Sequence, residues 1–133
     1  MIKETITYVD FNDVERTEEH WFNLTEAEIT EMELGVKGGL TTLIQQVVDN
    51  EDTPKIVEIF KDLIGRSYGV KSLDGKRFMK KKPEGGRYVD DFMETNAYSI
   101  LFMKLATDSK AASRFVNGII PADLAKKLAE QNN

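Results

Sequence analysis

Three carboxylates, Asp90, Asp91 and Glu94, have the spacing in this chain that comes closest to a metal site. On a helix, Asp90 and Glu94 would share one face and could hold Mg²⁺ together with water ligands. Acidic side chains in a first helical turn also stabilise the helix through its dipole, and a hard cation needs more converging oxygens than this segment offers. We therefore interpret the carboxylates as the start of a helix and expect neither a metal nor a cofactor.

A run of three lysines, Lys80, Lys81 and Lys82, is the second candidate for a contact site. It follows Phe78 and lies in a basic segment, residues 71–87, that has seven bases and two acids. Lysines on phosphates with aromatic rings on bases would suit a nucleic acid. The net charge of −5 over the whole chain argues against that partner. We predict that these lysines are electrostatic contacts with solvent or with an acidic protein.

The residue types provide few candidates for a catalytic nucleophile or a general acid or base. The chain has no cysteine and a single histidine, His20, so thiol chemistry and multi-histidine metal sites are excluded. No spacing identifies a partner that would make His20 a general base. The paired glycines at residues 38–39 and 85–86 lack the lysine and the serine or threonine of a phosphate-binding loop. We expect the protein not to be an enzyme.

The elements that must position these residues are expected to form one domain. A chain of 133 residues with 41% hydrophobic residues suits a single globular domain over residues 1–133. Its longest uncharged stretch, residues 38–48, is shorter than the roughly 20 apolar residues that cross a bilayer. No secretory signal opens the chain. We expect a soluble protein without membrane contact that stays in the compartment where it is made.

Residues 2–23 predict an antiparallel β-hairpin, because β-branched and aromatic residues stand on both sides of Asn12 and Asp13. A two-residue loop there would place Asp10 opposite Glu15, a like-charge pair that costs stability. A longer or bulged turn is therefore equally compatible with the sequence.

Helices are predicted over residues 25–68. Thr25 and Glu28 have the spacing of a capping box, and two stripes with helical periodicity follow. We expect these two helices to pack as an antiparallel pair. The stripes comprise Leu40, Leu43, Ile44, Val47 and Val48, and then Ile56, Ile59, Phe60, Leu63 and Ile64.

Periodicity is lost over residues 70–87, where glycines and a proline predict a basic flexible loop, with a small hairpin as the alternative. Helical spacing returns over residues 88–130, with Thr95 and Asp108 as caps. Gly118 is a predicted helix end. The expected fold class is mainly α: a small N-terminal antiparallel hairpin followed by a bundle of about five to six helices, which is α+β by strict count.

The helix predicted after Thr95 has apolar residues on more than one face, so it is either central to the core or partly exposed for a partner. The residue types alone therefore indicate a mainly helical interaction protein. Several short segments add a resemblance over about residues 3–121. They are ETITYVDFN at 4–12, ERT at 15–17, FNLTEAEI at 22–29, MEL at 32–34, GGL at 38–40, IFKDLI at 59–64, YGVKS at 68–72, DG at 74–75, AY at 97–98, LATD at 105–108 and FVNGIIP at 115–121.

In their order, these segments resemble the tail assembly chaperones of long-tailed, siphovirus-type bacteriophages. The resemblance implies a protein of the bacterial host cytoplasm that binds the long, hydrophobic tape measure protein. It keeps that protein soluble while the tail tube assembles and is absent from the mature virion. In many such chaperones a ribosomal frameshift yields an extended form that recruits the tail tube protein, and this chain would correspond to the short form. Assembly into a homo-oligomer stays open.

A chaperone of this kind needs an adaptable apolar surface, and methionine side chains can repack against varied partners. For any single methionine, filling the core is the commoner role. Two other functions stay open: a structural tail component of a phage or prophage, and a small regulatory protein associated with nucleic acid. We predict that the partner-binding surface comprises Phe92, Met93, Tyr98, Phe102 and Met103.

Overall fold

The structure is a computed structural model that describes residues 1–35 and 53–121. The stripe predicted over residues 40–48, its pairing with the next helix, and the helix predicted after Pro121 lie outside the described residues. The described elements, in chain order, are β1 (Ile2–Val9), β2 (Glu15–Phe22), α1 (Glu26–Gly35), α2 (Thr53–Ser67), β3 (Tyr68–Lys71), β4 (Phe78–Met79), α3 (Tyr88–Met93), α4 (Asn96–Thr107) and α5 (Ser109–Ile119).

The four strands form one antiparallel sheet in the order β1-β2-β3-β4. β1 and β2 pair over their full lengths, from Ile2 opposite Phe22 to Val9 opposite Glu15. The end of β2 pairs with β3, where Trp21 lies opposite Gly69. β3 in turn pairs with β4. The predicted hairpin is thus present, but it forms only half of the sheet.

The prediction of a mainly helical bundle is wrong, because the described residues form an α+β fold with a four-stranded sheet. β3 and β4 have four and two residues, which is too short for a period-two pattern to appear in the sequence. Pairing with β2 holds β3 in place, and that partner lies more than 40 residues earlier in the chain. Residues 70–87 accordingly contain the small hairpin that the sequence left as an alternative, with Gly75 at a φ of 75° in its turn.

The connection between β1 and β2 is the longer turn and not the two-residue loop. Val9 pairs with Glu15, so Asp10 is released from the strand. Its carboxylate accepts hydrogen bonds from the backbone nitrogens of Asn12 at 2.8 Å and Val14 at 3.0 Å, and it pairs with Arg16. These bonds hold the pKa of Asp10 below its usual value. A carboxylate that would have opposed Glu15 instead organises the turn.

Helices cover one face of the sheet and form the core with it. Phe22, which is fully buried, lies at the centre of this core. Its ring centroid is 5.2 Å from that of Phe115 and 5.4 Å from that of Tyr68. Phe92 stacks on Tyr68 with centroids 4.5 Å apart. Aromatic contacts therefore join β2, β3, α3 and α5.

Local signals for helix starts are confirmed. The hydroxyl of Thr25 accepts a hydrogen bond from the nitrogen of Glu28, whose carboxylate accepts one from the nitrogen of Thr25. Asp108 caps α5 through the nitrogens of Lys110 and Ala111, and Thr95 caps α4. The predicted end at Gly118 is wrong, since α5 continues to Ile119. A Cβ atom on Gly118 would lie 2.8 Å from the Ile2 side chain, so this glycine serves close packing on β1.

Candidate partner-binding site

An open groove of about 460 Å³ lies between α2, the end of α3, and α4. Its first wall comes from Val57 and Lys61, which are one turn apart on α2. Met93 closes one end, at the last residue of α3. The opposite wall comes from α4 and consists of Tyr98, Ser99, Phe102 and Met103. We call this feature the groove.

The groove has a fixed aromatic wall and a flexible rim. The ring of Tyr98 packs edge-on against Phe92 in the core, with centroids 6.0 Å apart, and lies 5.8 Å from the ring of Phe102. Burial raises the pKa of the Tyr98 phenol, so it stays neutral at physiological pH. Met103 at the rim has 54% of its surface exposed, and Val57 has 37%. The arrangement suits an apolar helix laid between two helices.

Four of the five residues predicted as a partner surface line the groove: Met93, Tyr98, Phe102 and Met103. Phe92 is only 3% exposed and supports the groove from the core instead of lining it. The structure therefore brings the four residues together around one opening. Their contact with a partner stays a prediction.

The sequence prediction did not include the α2 wall of the groove. Val57 lies outside the buried stripe of α2, which contains Ile59, Phe60 and Leu63. An apolar residue outside such a stripe was the signal that could have indicated an exposed contact. Lys61 offered no such signal, because lysine on an exposed helical face is ordinary.

Lys80, the first of the predicted contact lysines, is used inside the fold. Its ammonium donates hydrogen bonds to the carbonyl oxygens of Asn23 at 3.0 Å and Arg66 at 2.6 Å, and it forms an ion pair with Glu28. Burial lowers the pKa of Lys80, although Glu28 opposes that shift. Burial would raise the pKa of Glu28, but the bonds from Lys80 and Thr25 lower it overall. Lys80 thereby connects the end of β4 to the start of α1 and the end of α2.

The other two lysines differ from Lys80 and from each other. Lys82 pairs with Asp91 at 3.0 Å, and this contact raises the pKa of Lys82. Lys81 has an exposed side chain, while its backbone pairs with that of Arg87. Of the three, only Lys81 presents its charge to solvent.

Two of the three carboxylates, Asp90 and Asp91, lie in the first turn of α3 and serve local structure, whereas Glu94 follows the last residue of that helix as its C-cap, so the prediction of a helix start is wrong for Glu94. One carboxylate oxygen of Asp90 accepts a hydrogen bond from the nitrogen of Arg87 at 2.9 Å, and Asp91 is paired with Lys82. Within residues 1–35 and 53–121, no group of three acidic or histidine side chains has a geometry that could hold a metal ion.

His20 lies in the core beside the aromatic cluster. Its Nδ1 shares a hydrogen bond with the Tyr68 hydroxyl at 3.0 Å, and its ring centroid is 4.7 Å from that of Phe92. Nε2 is buried without a hydrogen-bond partner and is 3.7 Å from Oε1 of Glu18. Burial lowers the pKa of His20 despite that carboxylate, and burial also raises the pKa of Tyr68 to about 12. The pair therefore packs in its neutral form.

Stability is expected to fall as the pH drops below about 6.5, because the unfolded chain then binds a proton at His20 that the folded chain resists. Above that pH both states hold a neutral ring, and the penalty vanishes. The His20→Gln variant should show no such loss until the carboxylates titrate. Urea midpoints measured between about pH 8 and pH 5 test this, since His20 is the only histidine. If the urea midpoints of the two proteins changed with pH in the same way, His20 would not be the cause of the loss.

Comparison with known proteins gives one match. A family model described as phage tail assembly chaperone matches residues 1–133. No curated protein and no solved structure matches the chain significantly. In the part of the chain that the structure describes, no helix has the length and apolar character needed to cross a membrane.

Proposed function

The chain belongs to the phage tail assembly chaperone family, and from this membership we propose that it holds the tape measure protein in solution through the groove. The resemblance noted in the sequence is thereby confirmed at the level of the family. The proposal extends it: the client is the tape measure protein of a siphovirus-type phage. The chaperone acts without enzymatic activity in the host cytoplasm and leaves before the virion is complete.

The groove is the observation that carries this proposal. It joins apolar residues from three helices, and its rim contains two methionines, which adapt to different side chains. A client helix lying on α2 and α4 would bury the exposed surface of Met103 and Val57. Among the described residues that line the groove, Lys61 is the only charged side chain, so it favours client helices with a carboxylate beside their apolar face.

A matched pair of variants on α4 tests the groove. Met103→Glu puts a carboxylate on the rim, whereas Ile100→Glu puts one on the same helix outside the groove; the two side chains are 54% and 44% exposed. Because a charge buried against an apolar client is costly, we expect Met103→Glu to weaken client binding at least about tenfold. Ile100→Glu should bind like the unmodified protein.

The measurement is co-expression with the tape measure protein of the same phage, followed by the soluble fraction of that client and co-elution on a sizing column. The double variant Tyr98→Ser, Phe102→Ser should abolish co-elution if it keeps its fold, which a thermal melt checks. Full solubilisation by folded Met103→Glu would refute the groove as the client site. Retention of the chain in purified virions would refute the chaperone role in favour of a structural tail component.

The tail tube protein is proposed as a second partner, reached through a frameshifted longer form. A pull-down with the short and the extended products tests this separately. Tube protein captured only by the extended product supports it, and equal capture by both overturns it.

A further inference from the structure

The outer face of the sheet, opposite the helices, carries two aromatic rings beside exposed lysines. Trp21 on β2 and Phe78 on β4 both lie on this face, together with Lys3 on β1 and Lys71 on β3. We call these four residues the basic-aromatic face. It is on the other side of the sheet from the core and does not include the groove.

Strand register places the two rings on the same face, with β3 between their strands. Trp21 pairs with Gly69, and a Cβ atom on Gly69 would lie 2.5 Å from the ring of Phe78. Phe78 therefore lies directly over Gly69, on the strand next to Trp21. Trp21 on β2 and Phe78 on β4 thus lie on either side of Gly69 on this face of the sheet. Glycine is required at residue 69 because a side chain would displace Phe78.

Two lysines lie over the ring of Trp21. The ammonium of Lys71 is 3.8 Å from the centroid of the Trp21 ring, and that of Lys3 is 5.7 Å away on the neighbouring strand. Lys3 also pairs with Glu19 at 3.3 Å, while Lys71 forms no ion pair among the described residues. Two more bases, Lys76 and Arg77, follow in the exposed turn between β3 and β4. The ammonium of Lys71 covers one face of the partly buried Trp21 ring, so a base that stacks there takes the place of that cation.

We propose that the basic-aromatic face binds a single strand of nucleic acid, with bases stacked on Trp21 and Phe78 and phosphates on Lys3 and Lys71. The rings favour this ligand over an acidic protein segment. An aromatic face carries negative potential, so it repels a carboxylate, whereas a base stacks on it. An antiparallel sheet with helices on one side and partly exposed aromatic residues on the other suits splayed bases.

The acidic total charge limits this binding without preventing it. Charges farther than about 8 Å are largely screened at physiological salt, so the nearby lysines dominate the local potential. The net charge of −5 weakens longer-range attraction and makes the contact strongly dependent on salt. The sequence argued against nucleic acid because of this net charge, and the tertiary structure adds that the rings and the lysines share a face.

Trp21 is the only tryptophan of the chain, so its fluorescence reports on the face directly. The experiment titrates the intact protein with a uridine octanucleotide at about 50 mM and about 200 mM salt. We expect quenching of Trp21 and an affinity about tenfold lower at the higher salt, as two to three phosphate contacts require. Absence of quenching at the lower salt would overturn the proposal.

Matched variants separate this face from nonspecific attraction. Lys71→Gln should weaken binding severalfold and reduce the salt dependence, whereas Lys110→Gln, at an exposed cation on α5, should change neither. Phe78→Leu keeps Gly69 covered and should still weaken binding, because one stacking surface is lost. Equal effects of Lys71→Gln and Lys110→Gln would overturn the proposal. So would tighter binding of a polyglutamate peptide, which would assign the face to an acidic protein.

Discussion

Replacing Phe22 with alanine is expected to lower the free energy of unfolding by about 3 to 5 kcal/mol, the range typical of a buried phenylalanine. Phe22 is fully buried at the end of β2. Its ring contacts the rings of Tyr68, Phe92 and Phe115, which come from three other elements. Removal of the ring leaves a cavity that these elements cannot all close, because each is also held by the sheet or a helix.

Urea unfolding followed by Trp21 fluorescence measures this loss. Phe22→Leu keeps most of the volume and should cost less than half as much. Phe11→Ala is the control, because Phe11 is 78% exposed in the turn between β1 and β2, and we expect a change within about 0.5 kcal/mol. A loss below about 1 kcal/mol in Phe22→Ala would contradict the central position of this ring.

Replacing Lys80 with methionine is expected to cost about 2 to 4 kcal/mol. The methionine keeps the length of the side chain but removes the ammonium. The carboxylate of Glu28 and the carbonyls of Asn23 and Arg66 would then lose their donor in a partly buried place. Unsatisfied buried acceptors, more than the lost attraction, account for the size of the effect.

Lys81→Met is the matched control for this prediction. It makes the same chemical change one residue later, at an exposed side chain, and should alter the free energy of unfolding by less than about 0.5 kcal/mol. Urea midpoints of the two variants make the comparison. Equal midpoints would mean that Lys80 is not anchored by Glu28. The double variant Lys80→Met, Glu28→Leu should recover part of the loss, because it removes the unpaired carboxylate as well.

The contact residues show how far sequence reasoning reached. Met93, Tyr98, Phe102 and Met103 were predicted from the sequence as partner surface, and the structure places all four around one groove. Phe92 is a phenylalanine like Phe102 and belongs to the same stretch of helical spacing, yet it is buried in the core. Likewise, a run of three lysines gave no reason to separate Lys80 from Lys81. In both cases, contacts with segments that are distant in the chain decide which of the two residues is buried.

Features that depend on neighbouring residues could be predicted from the sequence alone. The cap at Asp108 and the capping box at Thr25 need only a side chain within reach of the next turn, and the first hairpin needs only a turn between two adjacent strands. The membership in a tail assembly chaperone family also follows from the order of residues along the chain.

Features that depend on long-range pairing became visible in the folded structure. β3 joins β2 through Trp21 and Gly69, which are 48 residues apart, and this pairing converts an isolated hairpin into a four-stranded sheet. The same packing buries Phe92, anchors Lys80 and places the two rings of the basic-aromatic face on one side of the sheet. Such contacts are set by shape and by the burial of apolar surface across the whole domain, and no local pattern of residue types encodes them.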